Sequence, residues 1–129
     1  MSALRTIRNL DYTVLFVHDM PRMRHFYEET LQLPLHRTLG PQWIEYRLAD
    51  TTLALTERGM MFDDPASAPG TLRVQLAFRV APDDVARCEA ELQALGVIIE
   101  RPTTDQAWGH RTLFVRDPDG NVVEFYADI

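Results

Sequence analysis

The sequence holds a single cysteine, Cys88, so no disulfide can form within the chain. A lone thiol fits a reducing compartment, and the expected localisation is cytoplasmic. No apolar run approaches the roughly 18 residues that a membrane-spanning helix needs. The first ten residues carry Arg5 and Arg8 but lack the apolar stretch of a signal peptide. Positive charge is also scarce: 13 Lys and Arg stand against 19 Asp and Glu, a formal net charge of -6. That balance excludes non-specific nucleic-acid binding, which requires a basic patch. There is no Gly-rich phosphate loop. Neither nucleic acid nor membrane is an expected partner.

What remains is an ordinary globular composition, 46% hydrophobic and 25% charged over 129 residues, enough for one domain with a sizeable core. The run DYTVLFV (11–17) is β-branched and aromatic, and predicts a buried strand. Asp19 is placed to cap a helix with Pro21 in its first turn. Met23, Phe26, Tyr27, Thr30 and Leu31 follow at helical spacing until Pro34 stops it. Short strands are predicted at 35–39, 43–48 and 52–56. Residues 58–70 are rich in Gly, Pro and Asp and read as a loop, with Met60, Met61 and Phe62 as an apolar plug beneath it and a mobile lid as the alternative.

The same order then returns. Residues 72–80 predict a strand, Pro82 and Asp83 open a helix with Val85, Cys88, Leu92 and Leu95 on one face, and Gly96 ends it. Cys88 is thereby expected to be inert core. Strands follow at 97–101, 112–116 and 121–126, the last two joined by the turn Asp117-Pro118-Asp119-Gly120. Aligning Val17 with Val80 sets Leu33 opposite Gly96, and Leu53-Ala54-Leu55 opposite Val123-Glu124-Phe125. An internal repeat of this kind constrains the whole fold. The expectation is an α+β fold of two tandem β-α-β-β-β units, at 10–58 and 71–129 with a linker at 59–70. The units would form a curved mixed sheet with the helices on one face and a ligand cavity on the other.

Alternation along each strand separates the two faces. With the apolar positions under the helices, the opposite face carries Tyr12 and Phe16, then Trp43, Glu45 and Arg47. In the second unit it carries Gln75, Ala77 and Arg79, then His110, Thr112 and Phe114, and finally Val122, Glu124 and Tyr126. Aromatic walls with a few polar groups are the usual lining of a ligand pocket. Packing of the same aromatics into a core is the competing structural reading. Glu124 has a functional reading as metal ligand, general base or cation anchor, and a structural one as the ion-pair partner of Arg79 or Arg47.

Two segments, DYTVLFVHDMPRMRHFYEETLQLPL and WGHRTLFVRDPDGNVVEFY, resemble the vicinal-oxygen-chelate superfamily of glyoxalases, extradiol dioxygenases and bleomycin-resistance proteins. The resemblance runs from Leu10 to Tyr126. It implies the paired β-α-β-β-β fold around a central cavity, and a homodimer. Metal enzymes of the superfamily draw ligands from the first and last strand of each unit, which the match puts at Tyr12, Ala54, Gln75 and Glu124. Gln75 and Glu124 are weak metal candidates, Tyr12 is an uncommon ligand and Ala54 has no donor. Three protein ligands are the usual minimum for a catalytic site, so no cofactor is expected and a divalent metal is the minority outcome.

The ending Trp-Gly-X-Arg followed by Asp-Pro-X-Gly-Asn resembles the metal-free, drug-sequestering members. In the alternative structural reading, Arg111 pairs with a carboxylate and Trp108 packs at an edge. The resemblance implies metal-independent binding of a small apolar or aromatic molecule, extending to antibiotic sequestration, by Trp108, Trp43, Tyr12, Phe16, His110, Phe114, Tyr126 and Arg79. The alternative is a superfamily lyase, isomerase or dioxygenase with Glu124 as its catalytic group. A third reading is a dimerising module without a ligand.

Overall fold

The computed structural model describes residues 2–59 and 61–129. The chain divides into two units, one ending at Asp64 and the other beginning at Pro65.

The first unit is a four-stranded mixed sheet of order β1-β4-β3-β2, comprising β1 (Tyr12–Phe16), β2 (Leu35–Thr38), β3 (Trp43–Leu48) and β4 (Thr51–Thr56). β1 runs parallel to β4, and the other pairings are antiparallel. Parallel pairing needs a long crossover between the first strand and the next. Helix α1 (Met20–Arg24) begins that crossover. The Asp19 carboxylate caps it by accepting the Arg22 N–H at 3.1 Å, and Pro21 sits where no N–H is needed. From His25 to Thr30 the helix widens to π geometry, with the Leu31 N–H reaching the Phe26 carbonyl at 2.9 Å. Met20, Met23, Phe26 and Tyr27 are buried with Leu15, Val17, Ile44, Tyr46, Leu53 and Leu55. At the helix-side margin of this core the Tyr46 hydroxyl donates to Glu28 at 2.9 Å, and Arg24 pairs with the same carboxylate at 2.6 Å. Burial, then Glu28, pushes the Tyr46 phenol far above its ordinary value.

The second unit repeats this plan with order β5-β8-β7-β6, comprising β5 (Gln75–Arg79), β6 (Arg101–Asp105), β7 (His110–Arg116) and β8 (Val122–Asp128). Its crossover helix is α2 (Pro82–Ala94), which buries Val85 and Leu92, while Leu113, Val115, Val123 and Ala127 are buried in the sheet. The α+β class and the tandem repeat are as the sequence predicts. The helix of each unit covers the predicted side, since Tyr27 lies 6.3 Å from Tyr46 and Arg111 donates to the Pro82 carbonyl at the start of α2.

Some element limits differ from the expected ones. β5 starts at Gln75 rather than 72, because its partner β8 begins only at Val122; the Val122 N–H bonds the Val74 carbonyl and leaves nothing upstream to pair. β6 starts at Arg101 rather than 97. The Val97 N–H is spent on the Leu92 carbonyl at 3.0 Å, closing the helix end behind Gly96 at φ +82°. Pro102 lies in β6, tolerated because this is an edge strand. The expected plug is also corrected. Met60 lies outside the described residues, and Met61 and Phe62 are 88% and 62% exposed. The loop around them offers no regular strand or helix to pack against.

The turn Asp117-Pro118-Asp119-Gly120 is structural. Asp117 Oδ1 accepts the N–H groups of Asp119 and Asn121, and its other oxygen accepts the Asn121 amide at 2.8 Å. Gly120 adopts φ +91°, and a Cβ there would stand 2.5 Å from the Gly70 backbone. No described helix is long and apolar enough to cross a membrane.

Candidate functional site

In the second unit the register sets four rows across the helix-free face, the first being Gln75, Val122 and Arg116. Ala77, Glu124 and Phe114 form one row, and Arg79, Tyr126 and Thr112 the next. Asp128 and His110 form the last, at the end of β8. Period-two alternation puts these side chains on one side because each strand keeps its pleat through the pairing.

The lower end of this face is a closed polar cluster. Arg79 bonds Asp128, whose other oxygen accepts His110 Nε2 at 3.1 Å. The Arg79 guanidinium stands 5.0 Å from the Tyr126 ring centre, and the His110 ring lies 4.8 Å from the same ring. The Arg79 hydrogen bond holds the Asp128 carboxyl below its usual range, and the same bond raises Arg79. The expected pairing of Arg79 with Glu124 is thus corrected: Arg79 is taken by Asp128 one row away. Arg47 donates to the Ala49 carbonyl at 3.1 Å. Glu124 instead accepts the Gln75 side-chain amide at 2.9 Å, and is 9% exposed.

In the first unit the helix-free face carries Tyr12 and Thr52, then Val14, Ala54 and Glu45, then Phe16, Thr56 and Trp43. Glu45 is 1% exposed. It accepts the Trp43 indole N–H at 2.7 Å and the Arg37 guanidinium at 3.1 Å. Burial works to raise its pKa, but Arg37 and Trp43 together outweigh burial and hold Glu45 below the ordinary glutamate range. Arg58 lies 6.0 Å over the Phe16 ring. Tyr12 and Phe16 are 43% and 37% exposed, so neither is core.

The two registers show where the repeat has diverged. Ala54 and Glu124 hold equivalent positions, as do Glu45 and Phe114. The carboxylate sits on the third strand of the first unit and on the fourth strand of the second. In the first unit it has a guanidinium and in the second only an amide.

Tyr12, Phe16 and Trp43 therefore share one face, and Arg79, His110, Phe114 and Tyr126 share the other unit's. Trp108 joins neither row. It occupies the turn between β6 and β7, closed by the Gly109 N–H on the Gln106 carbonyl, and is 68% exposed rather than packed at an edge. Arg111 grips Asp105 through two hydrogen bonds and the Pro82 carbonyl through a third, so it ties the hairpin to α2. Sequence reasoning missed two participants. Asp128 was legible by extending the Glu124, Tyr126 alternation two residues. Glu45 was placed on the correct face, but its bond to Arg37 depends on an irregular β2–β3 register that no sequence signal marks.

The donor set fits a divalent metal poorly. Ala54 offers no atom, and the carboxylate across from it is bound to Trp43 and Arg37. Gln75 and Glu124 are bonded to each other. Among the described residues no three His, Cys, Asp or Glu side chains are grouped as metal ligands would be.

Residues 9–125 match the family model of the Glyoxalase/Bleomycin resistance protein/Dioxygenase superfamily. A glyoxalase domain-containing protein, RDO1, of Mycosarcoma maydis is 28% identical over 122 residues, covering 92% of this chain and 68% of that protein. A glyoxalase/bleomycin resistance protein/dioxygenase from Nocardioides has a similar structure, with TM-score 0.82 at 21% identity over 96% of this chain and 85% of that one. Lactoylglutathione lyase from Agrobacterium tumefaciens gives TM-score 0.75 at 20% identity, over 92% of each chain.

Proposed function

The chain belongs to the Glyoxalase/Bleomycin resistance protein/Dioxygenase superfamily, and from that premise we propose that it binds a small apolar or aromatic molecule without the help of a metal. The observation that carries this is the exposed aromatic surface on faces that no helix of their own unit covers. Tyr12 and Phe16 present ring surface in the first unit. In the second, Phe114 and Tyr126 are half-buried around Glu124. Rings of this kind stack flat molecules, at about 0.5–1.5 kcal/mol each beyond the area they bury. The donor set supports the metal-free part, since Ala54 has no donor atom and Gln75 is already bonded to Glu124. Sequestration of an antibiotic is one form such binding takes.

Intrinsic fluorescence of the two tryptophans, titrated with planar drugs and metabolites, tests the reading. Saturable quenching by a planar compound supports it. Absence of any response across such a panel, with added nickel or manganese instead binding stoichiometrically, would replace it with the enzyme reading.

That second reading, a lyase, isomerase or dioxygenase, draws on Glu124. A buried carboxylate held by one neutral amide is a fitting proton acceptor. Turnover of a verified substrate by the Glu124→Gln variant at the parent rate would rule Glu124 out as its base. A homodimer is proposed as well, checked by light scattering.

A further inference from the structure

Carboxylates on this protein are matched to cations almost wherever they are sheltered. Glu28 has Arg24, Glu45 has Arg37 and Asp119 has Arg73. Even the more exposed Asp128, Asp105 and Glu100 have Arg79 with His110, Arg111 and Arg116. Buried Asp117 takes three N–H donors from its own turn, and Glu124 has neither arrangement. It is 9% exposed and, among the described residues, has no cationic partner; its one hydrogen bond comes from the neutral Gln75 amide. An ionised carboxylate sheltered from water without a countercharge is costly. The two guanidinium groups nearest in register do not relieve it, since Arg79 is committed to Asp128 and Arg116 to Glu100 and the Gly120 carbonyl.

We infer that Glu124 supplies the charge selectivity of the binding face, and that the ligand class is a flat or apolar molecule carrying a protonated nitrogen. This rests on the binding reading above and narrows it. The chemistry is complementary on three counts. The carboxylate oxygen that Gln75 leaves unbonded can accept a charged N–H. Phe114, directly across from Glu124 on β7, offers a ring face to a cation or a π system. The Gln75 amide fixes the carboxylate, so little side-chain freedom is lost on binding. In the first unit the equivalent position is Ala54, so only the second unit has this anchor.

The test uses two tricyclic dyes of nearly equal size, proflavine, a monocation at neutral pH, and acridone, which is uncharged. Affinities are read by dye polarisation on the full chain. The expected result is binding of proflavine about tenfold or more tighter than acridone, as suits a charge-assisted contact. Glu124→Gln should bring the two dyes within about threefold, and Glu124→Asp should keep the preference. Asp50→Asn, an exposed turn position in the other unit, changes the net charge equally and should leave the preference intact. Equal affinities in the parent, or a preference that survives Glu124→Gln, would overturn the charge selection while leaving aromatic binding standing. Failure of both dyes to bind at millimolar concentration would take the binding reading down with it.

Discussion

Trp43 and Glu45, two residues apart on β3, clasp each other on the helix-free face: the indole N–H lies 2.7 Å from the carboxylate. Neighbours at this spacing share a face of the strand, and the second carboxylate oxygen is held by Arg37. The clasp fixes the plane of the Trp43 ring. Glu45→Ala should cost about 1–3 kcal/mol, because it leaves a sheltered indole N–H without its acceptor. In a Trp108→Phe background Trp43 is the sole tryptophan, so its emission maximum and anisotropy report the loss of the clasp alongside urea denaturation.

Acid should weaken the fold through the same residue. A carboxylate whose folded-state pKa is depressed takes up protons more readily when unfolded. Its contribution is complete above the ordinary glutamate value of 4.5 and fades as pH falls through the lower folded value. Glu89 adds to this, because the Thr103 backbone N–H at 2.6 Å holds it low as well. The urea midpoint should stay level from pH 7 to about 5.5 and then drop. In Glu45→Gln the drop should be shallower; an identical slope would show that Glu45 does not titrate in this window.

Gly120→Ala should be among the most damaging single changes. The left-handed backbone alone penalises a side chain by about 1–3 kcal/mol, and the new methyl would meet the Gly70 backbone at 2.5 Å. Thermal denaturation measures the loss. Gly96→Ala, with the same sign of φ but open space around it, should suffer the strain without the collision and lose less.

Trp108→Ala should change stability by less than about 0.5 kcal/mol, as expected for a residue that packs against little. Its effect on ligand affinity is then read without a folding artefact. A loss of affinity would bring Trp108 into the binding surface, and an unchanged value would confine binding to the strands.

Much of this fold could be read from the chain because each unit is written in strong local terms. The Asp19 cap, the Pro82 start, the Gly96 stop and the Asp117–Gly120 turn are decided within a few residues, and the structure keeps all of them. What local sequence leaves open is set by distant partners. β5 is shortened by where β8 begins, at Val122. Glu45 acquires Arg37 only through the bulged β2–β3 pairing, and Arg79 finds Asp128 rather than Glu124 because β8 runs two residues further than its apolar pattern. The widening of the first helix at His25 also has no mark in its hydrophobic spacing.

The parallel pairing of β1 with β4 and of β5 with β8 joins the first strand of each unit to its last. A growing chain emerges from the ribosome in order, so β5 waits without its partner until residues 122–128 have been made. Contacts between distant segments close slowly for this reason. The first unit can complete its sheet while the second still carries an unsatisfied edge. That interval, rather than the finished protein, is when the chain is most exposed to pairing with a stranger.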